Sequence, residues 1–138
     1  MNSAARALAR LRMQVVTTFL RRVVILVGRE KLVPVLGTHG RLPVEVVPFA
    51  APLTIRELAD LGCRPVLRIE EGRPFVTDNS NWIVDCGVRA IEAPAAFARD
   101  LRALPGVVDV GLFLGVPDVV LVADGMTIRE MKRGDPAA

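Results

Sequence analysis

The chain has 138 residues, of which 51% are hydrophobic and 24% are charged, and its formal net charge is +3. This composition is typical of a globular chain with one domain, or one domain and part of another, and it excludes a disordered protein. The charge is too small to predict nucleic-acid binding, and no surface motif of aromatic and basic residues is visible, so no nucleic-acid partner is expected. The apolar runs are too short to span a membrane, so no membrane partner is expected and a cytoplasmic location is the default prediction.

The first 29 residues carry an unusual charge pattern, with six arginines and no acidic residue. Apolar residues spaced by three or four predict a helix over residues 4–21. The favoured interpretation is a helix with a solvated basic face. The alternative is an organelle-targeting or membrane-surface helix fused to a relic domain.

Two short apolar runs, Val23–Val27 and Val119–Val122, are typical of strands buried on both faces, as in parallel sheets. A last short element is predicted at residues 128–131. Two such strands with one helix would leave open sheet edges. The pattern therefore predicts either pairing with another copy or the loss of an upstream part.

Between these runs the pattern begins with a short strand over residues 44–47, which Pro43 and Pro48 are expected to close. A helix follows, which a capping box of Thr54 and Glu57 is expected to start and Gly62 to end. The later elements are, in chain order, strands at 65–69, 75–77 and 82–86, a helix that begins at Pro94, and a strand at 107–114. This β-α-β-β-α-β order predicts a ferredoxin-like unit with an antiparallel sheet and both helices on one face.

The residues alone do not indicate an active site. His39 is the single histidine and lies in a glycine-flanked loop, where a solvated side chain is the favoured interpretation. Cys63 and Cys86 have no metal-binding spacing and are predicted to be buried, reduced thiols. With no second histidine and no cysteine near His39, a zinc site has no obvious members, and no GxGxxG or Walker phosphate loop is present, so neither a metal nor a nucleotide cofactor is expected.

Several segments nevertheless resemble one enzyme family, the type A ribose-5-phosphate isomerases, in the family's order and at its spacing. They are KLVPVLG at 31–37, LPVEVVPF at 42–49, FVTDNSN at 75–81, IVDC at 83–86 and PGVVDVGLF at 105–113. Ser80 stands where the family usually has glycine. The resemblance covers about residues 23–131.

The resemblance implies an α/β (α+β) fold, with a ferredoxin-like small domain beside remnant strands and a helix of a Rossmann-like parallel sheet. It places a Rossmann-like remnant at 1–42, the small domain at 43–115, and a strand returning to the Rossmann-like sheet with the tail at 116–138. It also implies isomerisation of ribose 5-phosphate to ribulose 5-phosphate without cofactor, and a homo-oligomer, either dimer or tetramer.

The family's catalytic motifs are mostly missing. The GTGST-like, DGADE and KGGG-like loops do not occur in the sequence. Counting back from Lys31 without gaps places Met13 at the position of the general-base glutamate, and a thioether cannot accept a proton near neutral pH. Lys31 aligns with the family's substrate-contacting lysine, the alternative being a solvated loop lysine.

We therefore expect a truncated and inactive isomerase. The alternative hypothesis is a non-catalytic oligomerisation or binding module that associates with itself or with a full-length isomerase.

Overall fold

The computed structural model describes residues 21–38 and 40–132. The predicted helix at 4–21 and the tail therefore lie almost wholly outside the described residues. The strands and α-helices of the described part are, in chain order, β1 Val24–Gly28, β2 Leu42–Val46, α1 Ala51–Asp60, β3 Arg64–Leu67, β4 Ile69–Glu70, β5 Arg73–Pro74, β6 Trp82–Gly87, α2 Pro94–Arg102, β7 Val107–Val110, β8 Val119–Asp124 and β9 Thr127–Lys132. They form two compact units, one over 35–112 and the other over 21–34 with 113–132.

The first unit contains a four-stranded antiparallel sheet in the order β3-β6-β2-β7. The core contains alternate residues of each strand, such as Val44 and Val46 of β2, and it also contains Leu58 of α1 and Leu101 of α2. Because alternate residues of a strand share one face, both helices cover the same face of this sheet. The predicted ferredoxin-like arrangement is confirmed.

Strand β2 includes Pro43, contrary to the prediction that this proline closes the strand. Pro43 pairs with Asp85 of β6, and its carbonyl accepts a hydrogen bond of 2.8 Å from the Gly111 amide. In an antiparallel ladder the N–H and C=O of one residue point to the same neighbour. The missing donor therefore faces the side where β7 has already ended, and a proline is tolerated there.

The predicted capping box is wrong. Helix α1 begins at Ala51, has Pro52 in its first turn, and has no side-chain cap. Thr54 is fully buried inside the helix, and its Oγ1 donates to the carbonyls of Ala50, at 3.0 Å, or Pro105, at 2.8 Å. The helix starts earlier because proline is favourable in a first turn, where its missing N–H has no partner to lose.

Two predicted strands are shorter than expected. Strand β7 ends at Val110 rather than at residue 114, although the Gly111 amide extends the pairing by one bond. Residues 75–77 form only an isolated bridge, Val76 with Trp82, because the chain turns immediately afterwards. The predicted end of α1 is confirmed, since Gly62 adopts a φ of 84°, which favours glycine.

The second unit contains a three-stranded sheet in the order β1-β8-β9. Strands β1 and β8 are parallel, as predicted, with Leu26 opposite Leu121, and β9 pairs antiparallel with β8. The Asp118 side chain accepts a hydrogen bond of 2.8 Å from the Val23 amide and so fixes the start of the parallel pair. Neither helix in the described ranges has the length and apolarity that a membrane crossing requires.

Candidate functional site

The candidate site lies at the carboxyl ends of the parallel strands β1 and β8. Gly28, the last residue of β1, is opposite Ala123, so both strands end at the same edge of the sheet. In open α/β sheets, ligands bind outside the carboxyl ends of the strands. The residues that follow these two strands are therefore the best candidates for ligand contact in the second unit.

A cavity of about 440 Å³ opens at this edge. Arg29 and Asp124 lie on its wall and form an ion pair of 2.9 Å, in which Arg29 Nη1 donates to Asp124 Oδ2. Arg129 and Thr127 also line the cavity. Two guanidinium groups, one carboxylate and a hydroxyl leave a net positive charge, which suits an anionic ligand.

Lys31 is the last residue of a short 3₁₀-helix, Arg29–Lys31, that directly follows β1. Its side chain is exposed and does not line the cavity, although its neighbours Arg29 and Leu32 do. The Leu32 amide donates to the Arg29 carbonyl and closes the turn. The structure thus places Lys31 near the carboxyl end of β1.

Other residues considered from sequence do not add to this site. Met13 and His39 lie outside the described residues. Cys63 and Cys86 are buried, as predicted, and belong to the first unit. Within residues 21–38 and 40–132, no three histidine, cysteine or acidic side chains converge as a metal site would require.

A second polar cluster is buried in the first unit. Glu45, on the central strand β2, is 8% exposed, and its Oε1 accepts hydrogen bonds from Thr77 Oγ1 at 2.8 Å and Asn81 Nδ2 at 2.9 Å. The Asn79 and Asn81 amides donate in turn to Thr77 Oγ1. Every one of these donors belongs to the 77–81 turn, so this carboxylate holds a turn in place and has a structural use.

Sequence reasoning missed Arg29, Thr127, Asp124 and Arg129. The signal that could have found Arg29 and Asp124 was available, since both strands were predicted and polar residues follow each of them. Thr127 and Arg129 depend on the antiparallel return of β9, which places Arg129 opposite Val122. That register cannot be read from a short polar segment.

Comparison with known proteins gives one consistent family. The family model for ribose 5-phosphate isomerase A (phosphoriboisomerase A) matches residues 5–126. A ribose-5-phosphate isomerase A of Thermomicrobium roseum is 45% identical over 126 residues, which cover 91% of this chain and 53% of that protein. One from Gloeobacter violaceus is 43% identical over 116 residues, 84% of this chain and 50% of that protein.

Solved structures give the same result. The ribose 5-phosphate isomerase A of Methanocaldococcus jannaschii is similar with a TM-score of 0.82 and 32% identity, over 88% of this chain and 54% of that one. A D-ribose-5-phosphate isomerase in complex with phospho-erythronic acid has a TM-score of 0.87 and 28% identity. The match covers 93% of this chain and 57% of that one. The chain spans about half the length of the relatives it matches.

Proposed function

Because the chain belongs to the ribose 5-phosphate isomerase A family, we propose that it serves the interconversion of ribose 5-phosphate and ribulose 5-phosphate. The family match over residues 5–126 carries this proposal. The charge of the cavity in the second unit supports it, since a sugar phosphate is an anion and the cavity is lined by two arginines and only one acidic residue. A cytoplasmic location, where a sugar phosphate would be met, is part of the proposal.

Lys31 is the residue that we propose contacts the substrate. An aldose–ketose isomerisation moves a proton between two adjacent carbons, and negative charge develops on the oxygen during the transfer. An ammonium group at the carboxyl end of a parallel strand can stabilise that charge. The exposed position of Lys31 directly after β1 supports this role.

The two compact units support a similar domain division, although they divide the chain at 34/35 and 112/113. We propose a Rossmann-like part at 1–42 and 116–138, and a ferredoxin-like small domain at 43–115. The four-stranded unit of 35–112 supports the assignment of the small domain, and the parallel pair β1–β8 supports the assignment of the other part.

The 138 residues by themselves are proposed to be inactive, because Met13 stands where the general base aligns. We expect a purified, mass-verified chain to produce no ribulose 5-phosphate above the buffer baseline in a coupled assay with ribose 5-phosphate. Turnover by the chain would overturn the proposed inactivity and would leave family membership unaffected.

Ligand binding tests Lys31 separately from turnover. Phospho-erythronic acid, which a structural relative binds, is the probe for isothermal titration calorimetry. Lys31→Ala should weaken binding about tenfold, the usual effect of losing one charge-assisted contact. Lys132→Ala is the matched control and should leave the affinity unchanged. If the Lys31→Ala chain bound phospho-erythronic acid as tightly as the parent chain, or if the parent chain did not bind it, the proposed role of Lys31 would be wrong.

A non-catalytic assembly module is the second candidate function. Strand β1 is at the edge of its sheet, and its side chains Val24 and Leu26 are 50% and 68% exposed. An apolar edge strand favours association with another chain. This candidate predicts a dimer or tetramer of the chain, or co-purification with a full-length isomerase. A monomer that captures no isomerase would contradict it.

A further inference from the structure

The thiols of Cys63 and Cys86 are neighbours in the core of the first unit. Pro65 of β3 is opposite Cys86 of β6, and Cys63 comes two residues before Pro65, on the same face of the sheet. The two side chains therefore meet diagonally across adjacent strands, within one hydrophobic core. Both are free thiols in a shared core.

Cys63 also lines a cavity of about 660 Å³, whereas Cys86 does not. The apolar side chains of Leu61 and Phe97 and the basic residue Arg89 line the same cavity. A small molecule that enters it meets Cys63 first. Cys86, by contrast, is fully buried.

The two thiols differ in the direction of their pKa shifts. A hydrogen bond with Cys86 lowers the pKa of the Cys63 thiol, against the effect of burial, which raises it. The same hydrogen bond, together with burial, raises the pKa of Cys86. Since the thiolate is the nucleophile, the more reactive sulfur is the one that lines the cavity.

We propose that Cys63 and Cys86 form an oxidisable dithiol, in which Cys63 reacts with a small peroxide from the cavity and Cys86 then closes an intramolecular disulfide. The Cys63 thiolate attacks one peroxide oxygen, the O–O bond breaks, and water leaves after protonation, so that Cys63 becomes a sulfenic acid. The Cys86 sulfur attacks the Cys63 sulfur and displaces a second water. Two thiols are oxidised and one hydrogen peroxide is reduced to two waters.

The backbone at Cys63 allows the sulfurs to approach. Cys63 precedes the first residue of β3 and follows Gly62, which has a φ of 84° and open space around its Cα. Glycine tolerates such conformations and changes of conformation with little penalty. The strand ladder can therefore remain paired while Cys63 moves toward Cys86. This inference is independent of the isomerase proposal.

The test uses the full chain treated with hydrogen peroxide under native conditions. We expect a mass loss of about 2 Da, from two hydrogen atoms, which a reductant reverses. A tryptic digest without reductant should join the peptide of residues 57–68 to that of 69–89, because the Arg64–Pro65 and Arg73–Pro74 bonds resist trypsin. An unchanged mass, or disulfides only between chains, would overturn the proposal.

Two single variants assign the roles of the sulfurs. In Cys86→Ser, Cys63 should stop at the sulfenic acid and react with dimedone at least about tenfold faster than Cys86 does in Cys63→Ser. Equal labelling of the two thiols would overturn the assignment. Circular dichroism checks that each variant is folded. If a variant is unfolded, the mass change of the peroxide-treated parent chain still tests whether Cys63 and Cys86 form a disulfide.

Discussion

Thr77 and Glu45 are 32 residues apart in sequence and are joined by a hydrogen bond of 2.8 Å, in which Thr77 Oγ1 donates to Glu45 Oε1. Two of the segments that resemble the isomerase family, at 42–49 and 75–81, thus meet at one buried carboxylate. Asn81 donates to the same oxygen. The contact connects the central strand of the first unit to a surface turn, and it explains two motifs without any ligand.

Removing this carboxylate should destabilise the first unit. Glu45→Ala leaves Thr77 and Asn81 without their acceptor, and we expect a loss of about 2–3 kcal/mol in the free energy of unfolding. Glu45→Gln keeps one oxygen and should lose less than half as much. Urea denaturation measures both, with Glu92→Ala as the control at an exposed glutamate. Equal effects of Glu45→Ala and Glu92→Ala would contradict the buried role.

Ser80 is expected to be a site of local strain. Its φ is 61°, in the left-handed region that favours glycine, and the related family usually has glycine there. Ser80→Gly should stabilise the chain by about 0.5–1 kcal/mol, since relief of strain exceeds the added freedom of the unfolded chain. Ser80→Ala keeps a Cβ and should give no gain. Thermal unfolding of the two variants distinguishes backbone strain from loss of the hydroxyl.

Gly106 should tolerate no side chain, for two reasons that can be separated. Its φ is 84°, and a Cβ there would overlap the Cβ of Ala50 and lie 2.7 Å from Thr54 Oγ1. We expect Gly106→Ala to cost more than about 3 kcal/mol, from strain and overpacking together. Gly72 has a similar φ of 76° with open space, so Gly72→Ala should show the strain alone. Equal losses in the free energy of unfolding for Gly106→Ala and Gly72→Ala, measured by urea denaturation, would contradict a contribution from the overlap.

In the Arg68–Asp85 ion pair, we expect the loss of one partner to be more destabilising than the replacement of both by apolar residues. Arg68 Nε and Nη2 donate to the two carboxylate oxygens at 2.8 and 2.6 Å, and both side chains are less than one-fifth exposed. Asp85→Ala leaves a largely buried guanidinium and should cost about 3 kcal/mol.

The double variant Arg68→Met with Asp85→Leu should recover more than half of that loss, because apolar side chains need no partner. Asp100→Ala, in the exposed pair of Arg99 and Asp100, is the control and should change stability by less than about 0.5 kcal/mol. Chemical denaturation measures the free energy of unfolding of each variant. A double variant as unstable as Asp85→Ala would contradict this account.

Much of the fold could be predicted from the sequence, since its signals are local. The continuous apolar run at 23–27 predicted a strand in a parallel pair, and β1 pairs in parallel with β8. Its predicted burial on both faces is wrong for the described residues, since Val24 and Leu26 of β1 are 50% and 68% exposed. Pro43 and Thr54 were misjudged because their positions depend on distant partners. Pro43 is tolerated where β7 ends, and Thr54 is buried against Pro105, 51 residues away.

The candidate site was less predictable than the fold. Lys31 was found through resemblance, and the structure places it after β1. The cavity beside it depends on the pairing of Arg29 with Asp124, 95 residues later. Such a pair is defined only when the register of β1 on β8 is known, and periodicity in a single chain does not contain that register.

Within residues 21–132, the first unit is an insertion in the sequence of the second. The chain leaves the second unit after residue 34 and returns at residue 113. Leu36 and Leu112, close to the two ends of the inserted unit, line one cavity of about 150 Å³, so its entry and exit are neighbours in space. A segment with adjacent ends can be exchanged, shortened or permuted without altering its host. Evolution could therefore have changed the ferredoxin-like part and the parallel strands at separate rates.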